Sequence, residues 1–216
     1  MIRAYQSDFI ELCLRLGALK FGNFRLKSGR DSPYFFNSGQ FSSGRAIGAL
    51  GRAYAAAAVA SGVAFDMLFG PAYKGIPLVT ATAAALAQEH GLDPPFAYNR
   101  KEAKAHGEGG LVVGGPLAGR VLIIDDVITA GTAIRESIEI IVGARAHPVG
   151  VVLALDRQER GTDSRLSAVQ EVSERFGVPV IPIVNLTDLM EHVAAGGLAP
   201  ELLRLQAYRD RYGVAN

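Results

Sequence analysis

The segment Val121-Leu122-Ile123-Ile124-Asp125-Asp126-Val127-Ile128-Thr129-Ala130-Gly131-Thr132-Ala133 decides the fold. Its first four residues are apolar and three of them are β-branched, the composition of a strand covered on both faces in a parallel sheet. Asp125 and Asp126 then fall at the carboxyl end of that strand, where open α/β sheets bind ligands. From Thr129 to Thr132 the chain holds only Thr, Ala and Gly, so no bulky side chain blocks a ligand from the backbone. Ala133 to Val142 follows with helical spacing, with Ile134, Ile138 and Ile141 or Val142 sharing one stripe. A helix beginning there points unpaired N–H groups and the positive end of its dipole into the turn, which favours a phosphate. Ionised carboxylates are acceptors only and suit sugar hydroxyls. An ordinary strand-turn-helix connection, its aspartates capping the helix, accounts for the same local pattern.

Working outward, the chain alternates helix and strand. Helices are expected over residues 5–19, 44–61, 76–91, 164–176, 186–195 and 200–212, and strands over 67–69, 94–98, 121–124, 149–155 and 180–184. Residues 24–37 read as a hairpin or irregular strand pair broken at Gly29 and Pro33, and 101–115 as a polar glycine-rich loop. Strands separated by helices of this length imply a parallel twisted sheet with helices on both faces. The 216 residues suffice for one substantial core, so a single domain is expected, with a small hood built mainly from about residues 1–40 and C-terminal elements, over a core of about 41–180.

The composition excludes several classes. A hydrophobic fraction of 49% and a charged fraction of 20% are those of a soluble globular chain, and a net charge of +1 gives no global reason to bind nucleic acid or an anionic membrane. Cys13 is the only cysteine, which excludes a disulfide framework, and its helical spacing with Phe9, Leu12 and Leu16 places it in the core. Charges at Arg3, Asp8, Glu11 and Arg15 interrupt the N-terminal apolar stretch, unlike a secretory signal, and no uncharged run approaches a membrane span. A cytoplasmic location is expected. Neither a Gly-x-x-x-x-Gly-Lys-Ser/Thr loop nor a strand ahead of the glycines at 107–115 is present, so the usual nucleotide-loop readings fail.

Other strand ends and loops carry chemistry too. After 67–69 comes Gly70-Pro71-Ala72-Tyr73-Lys74-Gly75, where glycines bracket a lysine that can act as a point charge on a diphosphate oxygen. Arg100, Lys101, Lys104 and His106 place four potential cations within seven residues, followed by glycines at 107, 109 and 110. Such a run is ordinarily a solvated face, but it also suits a flap that excludes water from a charged substrate. In Ser32-Pro33-Tyr34-Phe35-Phe36-Asn37 the aromatic run can pack in a core or stack on a flat pyrimidine ring. Leu155-Asp156-Arg157-Gln158-Glu159-Arg160-Gly161 offers an arginine able to grip a carboxylate bidentately. His90, His147 and His192 show no metal-ligand spacing.

The Asp-Asp-hydrophobic-hydrophobic-Thr-Ala-Gly-Thr motif resembles the 5-phosphoribosyl 1-diphosphate (PRPP) motif of type I phosphoribosyltransferases. That resemblance implies ribose contacts from Asp125 and Asp126, a 5-phosphate loop over Val127, Ile128, Thr129, Ala130, Gly131, Thr132 and Ala133, and the type I fold. It also makes the Tyr73-Lys74 turn the pyrophosphate loop, which in the family often contains a non-proline cis peptide, so backbone strain is expected near Ala72-Tyr73. The Arg-Lys-x-x-Lys-x-His run, the Phe24 to Asn37 stretch and the Asp156 to Gly161 stretch resemble orotate phosphoribosyltransferases, and the likeness runs over about residues 8–213. It implies PRPP contacts from Lys27, Tyr73, Lys74, Arg100, Lys101, Lys104 and His106, the last five with Asp125 and Asp126 forming the catalytic set. Orotate contacts are implied for Phe35, Phe36, Thr129 and Arg157. Ala105 departs from the family, which usually has Asp there. The resemblance further implies Mg²⁺ chelated mainly by PRPP without direct protein ligands, and a homodimer whose loop reaches the partner's site. Rival readings are a purine or uracil phosphoribosyltransferase, a PRPP-binding regulator without catalysis, and a structural α/β module.

Overall fold

The computed structural model describes residues 2–26, 28–104, 110–128, 131–162 and 164–214, with only the backbone described at 103 and 104. Helix α1 (Ala4–Leu16) leads into a hairpin of β1 (Leu19–Arg25) and β2 (Asp31–Phe36), a 3-10 turn (Ser38–Gln40) and helix α2 (Gly44–Ala60). There follow β3 (Met67–Gly70), α3 (Gly75–His90), β4 (Phe96–Lys104), β5 (Gly110–Gly114), β6 (Arg120–Ile124), α4 (Thr132–Gly143) and β7 (His147–Asp156). The chain closes with α5 (Ala168–Phe176), β8 (Val180–Asn185), α6 (Leu186–Ala195) and α7 (Ala199–Tyr212).

Strands β5-β4-β3-β6-β7-β8 form one sheet in that order, all neighbours parallel except β4 and β5. From β3 the chain crosses to β4 on one side, and from β6 to β7 on the other. The order therefore reverses between β3 and β6, and the crevice at their carboxyl ends is the expected ligand position. Strand β6 shows why its run is wholly apolar. Leu122 and Ile124 belong to the apolar cluster that includes α1, α2, α3, α6 and α7, while Val121 and Ile123 belong to the cluster with α4 and α5 on the opposite face.

Four expectations are corrected. Residues 101–115 are not simply a loop: β4 runs on to Lys104 and β5 returns antiparallel, pairing Asn99 with Val112 and Lys104 with Gly110. The sheet is thus mixed, and a basic run on its outer pair is compatible with a strand because charged side chains are tolerated at sheet edges. The hairpin begins at Leu19, because α1 ends at Gly17 in the left-handed region (φ 68°) rather than at residue 19. The helix expected from 164 starts at Ala168, where Ser167 and Gln170 form a reciprocal capping box. Pro33 does not break β2. It sits in a two-stranded ribbon, where a missing N–H donor is tolerated.

Candidate active site

Strand β6 delivers Asp125 and Asp126 at the reversal point, each only 7% exposed. Their backbone continues the sheet: the Asp125 N–H donates to Val152 O at 3.1 Å, and the Ala154 N–H donates to Asp126 O at 2.9 Å. The buried Tyr54 hydroxyl on α2 donates to Asp125 O at 2.7 Å. Asp125 Oδ1 accepts the Asp126 N–H at 2.9 Å, and Asp126 Oδ1 accepts the Val127 N–H at 2.8 Å. Burial, and after it the neighbouring Asp126 carboxylate, pushes the Asp125 carboxyl up to about 7.

The other oxygen of Asp126 gathers two further elements. Lys74 Nζ reaches Asp126 Oδ2 at 2.5 Å, and Ser38 Oγ on the 3-10 turn donates to the same atom at 2.8 Å. Lys74 ends the turn after β3, which is tight because a Cβ at Gly70 would lie 2.3 Å from Gly75 O. The Ala72-Tyr73 peptide in this turn is cis, the isomer the resemblance implies. Asn99 Oδ1 within β4 accepts the Ala72 N–H at 2.8 Å, fastening the turn to the basic strand. Lys101 Nζ stands 5.1 Å from the ring centroid of Tyr73, itself 66% exposed. Thr132 and Ala133 open α4, and Gly131 before them (φ 69°) brings no side chain to cap the first amides. A turn cation, two carboxylates and an uncapped helix start thus lie around one crevice. That is an arrangement for a sugar carrying phosphates at both ends.

Comparison with known proteins agrees with this geometry. The phosphoribosyl transferase domain model matches residues 37–180. Orotate phosphoribosyltransferases of Saccharophagus degradans and Thioalkalivibrio sulfidiphilus are 59% and 60% identical, each match covering 99% of this chain and 100% of the relative. The chain belongs to the orotate phosphoribosyltransferase family. The crystal structure of the Francisella tularensis orotate phosphoribosyltransferase superposes with a TM-score of 0.88 at 43% identity, covering 95% of this chain and 99% of that one.

The residues expected to contact the base lie in the hairpin and just after β7. Phe35 is 40% exposed and stacks on Phe24, with ring centroids 5.5 Å apart, whereas Phe36 turns the other way into the main apolar cluster. The alternation of β2 points the two rings to opposite faces of the hairpin. Arg157, just after β7, packs its guanidinium 4.2 Å from the Tyr34 ring centroid. Its Nη2 donates to Ser32 Oγ at 2.9 Å and to Tyr208 Oη at 3.2 Å, while its Nε pairs with Glu159. Only Nη1 has no partner among the described residues. A bidentate grip on a carboxylate would therefore use Nη1 together with an Nη2 hydrogen taken from Ser32 or Tyr208.

Lys27, His106, Thr129 and Ala130 lie outside the described residues, as does the Lys104 side chain. Arg100 is half-buried within β4, and Val127 and Ile128 are half-buried after β6. Sequence reading passed over Ser38, Tyr54, Asn99, Glu159 and Tyr208. Asn99 stood beside the basic run, and Glu159 two residues after Arg157, so both were open to inspection. Ser38, Tyr54 and Tyr208 reach the site only through the fold.

Proposed function

We propose that this chain transfers a ribosyl 5-phosphate from PRPP to N1 of orotate, giving orotidine 5′-monophosphate and diphosphate in the synthesis of UMP. The 2.5 Å contact between Lys74 and Asp126 carries the reading, because it brings the diphosphate turn and the ribose carboxylates to one point. The bond from orotate N1 to ribose C1 forms as the bond from C1 to the diphosphate oxygen breaks, and that oxygen keeps the electron pair. The sugar gains oxocarbenium character and the leaving group gains charge, so positioning and electrostatics dominate. Asp125 and Asp126 accept hydrogen bonds from the ribose hydroxyls, and the amides of 127–133 hold the 5-phosphate. Lys74 turns from Asp126 to the departing diphosphate, joined by Arg100, Lys101, Lys104 and His106. His106 or Lys104 can supply a proton. Tyr73 flanks the diphosphate, and Lys27 meets PRPP from the hairpin. Phe35 or Phe36 and Thr129 lie against orotate, with Arg157 on its carboxylate. Orotate N1 is acidic, so a dedicated strong base is unnecessary.

Mg²⁺ fits this donor set. Chelated mainly by PRPP, it would keep waters able to donate to Asp125 and Asp126, and it would neutralise charge on the leaving group. The 216 residues act as one domain, its hairpin serving as the hood. In a homodimer the loop that carries the basic run reaches the partner's site. No helix among the described residues is long and apolar enough to cross a membrane, and a cytoplasmic enzyme acting on small molecules, without nucleic acid, accords with the charge balance.

A spectrophotometric assay of orotate consumption with PRPP and Mg²⁺ tests the reaction. PRPP binding without turnover would leave a regulator instead. Mixed heterodimers of Lys104→Ala and Asp125→Asn chains regain part of the activity if the sites are shared, and regain none if each chain works alone.

A further inference from the structure

A second cleft, of about 630 Å³, lies between the β1–β2 hairpin and α7, within the usual size range of small-molecule sites. None of its walls comes from the Asp125 to Ile128 segment or the Lys74 turn. It is lined by three arginines, Arg25, Arg204 and Arg211, together with Phe24, Tyr208 and Tyr212. Asp31, the one carboxylate in the lining, is engaged by Arg25 at 3.2 Å. Arg204 donates to Gly22 O at 2.8 Å and to the Asn23 side chain, both neutral, and Arg211 lies over the Tyr212 ring at 5.0 Å. No carboxylate among the described residues is within ion-pairing distance of either. Two guanidinium groups thus have no carboxylate partner among the described residues and stand beside aromatic rings, where planar cations and rings can stack on a flat ligand and fork onto an anion.

We infer that this cleft is a second binding site, for a nucleoside monophosphate, with the phosphate on Arg204 and Arg211 and the base against Phe24 and the rings of α7. The cleft backs onto the base-recognition machinery. Its wall residues Ser32 and Tyr208 are the two that hold Arg157 Nη2. An occupant that displaces either one changes the grip of Arg157 while leaving Asp125, Asp126 and Lys74 untouched. Occupation therefore raises the KM for orotate and leaves that for PRPP unchanged. This regulatory half rests on the transferase reading, whose product has the same chemistry as the occupant.

The binding half is tested by calorimetric titration of uridine 5′-monophosphate into the full chain with PRPP and Mg²⁺ saturating the transferase site and orotate absent. One equivalent per chain is expected. The Arg204→Ala/Arg211→Ala variant should weaken it roughly tenfold or more without loss of kcat. Arg211→Glu keeps the Arg204 bond to Gly22 and serves the same purpose should the double variant fail to fold. Binding that vanishes with PRPP present, or that neither variant weakens, overturns the site. Inorganic phosphate binding as tightly as the nucleotide overturns its aromatic half. UMP binding by a chain that does not consume orotate would instead remove the transferase reading and leave the site standing. In the active enzyme, UMP that raises the orotate KM in the parent but not in the Arg211 variant supports the coupling, and equal effects on both refute it.

Discussion

The strand ends of the sheet and the hairpin beside them are held by different means. Asp125 and Asp126 sit in packed surroundings, their backbone locked into the ladder and capped by the buried Tyr54 hydroxyl, their side chains met by backbone amides, Ser38 and Lys74. The hairpin packs Leu19, Tyr34 and Phe36 into the apolar core but adds polar links of its own: Arg157 with Ser32 and Tyr208, Arg30 with Glu159 at 3.4 Å, and Arg204 with Gly22. The domain model shared across phosphoribosyltransferases begins at residue 37, so it takes in the packed part and leaves β1 and β2 outside. On the proposed function the comparison teaches a division of labour: the sugar phosphate would be handled where packing makes the geometry rigid, and the base where a separate element can be exchanged between relatives. Cutting each region in turn puts that division at risk.

The largest loss belongs to the packed side. Asp126→Ala frees Lys74 and Ser38 and removes an acceptor for ribose, so kcat/KM should fall on the order of 10²- to 10³-fold in steady-state assays, with the fold retained. A fall below about tenfold would mean that the ion pair with Lys74 is a surface feature of the resting chain. On the hairpin side, Arg157→Ala should lower kcat/KM for orotate on the order of 10²-fold, because a site built to pair a carboxylate penalises its loss strongly. PRPP affinity, measured by calorimetry, should stay within about twofold. If PRPP binding falls in parallel, the two regions are one unit and the division fails.

The same contrast governs what was legible beforehand. The strand, its carboxylates and the helix after it followed from local patterns: apolar run, acidic pair, small-residue turn, 3.6-residue spacing. The crevice followed from a rule of topology applied to strands already in hand. What escaped were partners brought in from far along the chain, Ser38 by 88 residues and Tyr54 by 71. Their hydroxyls look like any others until the fold closes. Strand β5 escaped for a local reason, since glycines and charges mask three apolar residues, Leu111 to Val113, that suffice for an edge pairing. The hairpin was visible as an aromatic stretch, but the opposite facing of Phe35 and Phe36 depends on register.

Rigid burial has a cost that pH reveals. An Asp125 carboxyl raised to about 7 binds its proton in the folded chain between the ordinary carboxylate range and neutrality, while the unfolded chain has already released it. Stability therefore falls as pH rises through that window and is level above it, by on the order of 2 kcal/mol once water entering the crevice is allowed for. Asp125→Asn should flatten this slope in thermal melts recorded from pH 4 to 8. A slope unchanged in the variant would place its source elsewhere and make the packed site less rigid than its burial implies.

The smallest effect separates holding a residue from using it. Glu159 shares its carboxylate between the Arg157 Nε and Arg30 Nη1, and both pairs are mostly buried. Arg30 also donates to Gly161 O at 3.2 Å and lies over the Tyr212 ring at 5.0 Å, so it stays in place without Glu159. Glu159→Gln removes the charge and keeps the shape. Arg157 retains Ser32, Tyr208 and the Tyr34 ring, but its guanidinium is freer to turn. The orotate KM should therefore rise roughly tenfold, with kcat and the PRPP KM within about twofold of the parent. A kcat that drops while the orotate KM holds would show Glu159 acting on the reacting atoms. The hairpin would then take part in the chemical step as well as in the choice of base.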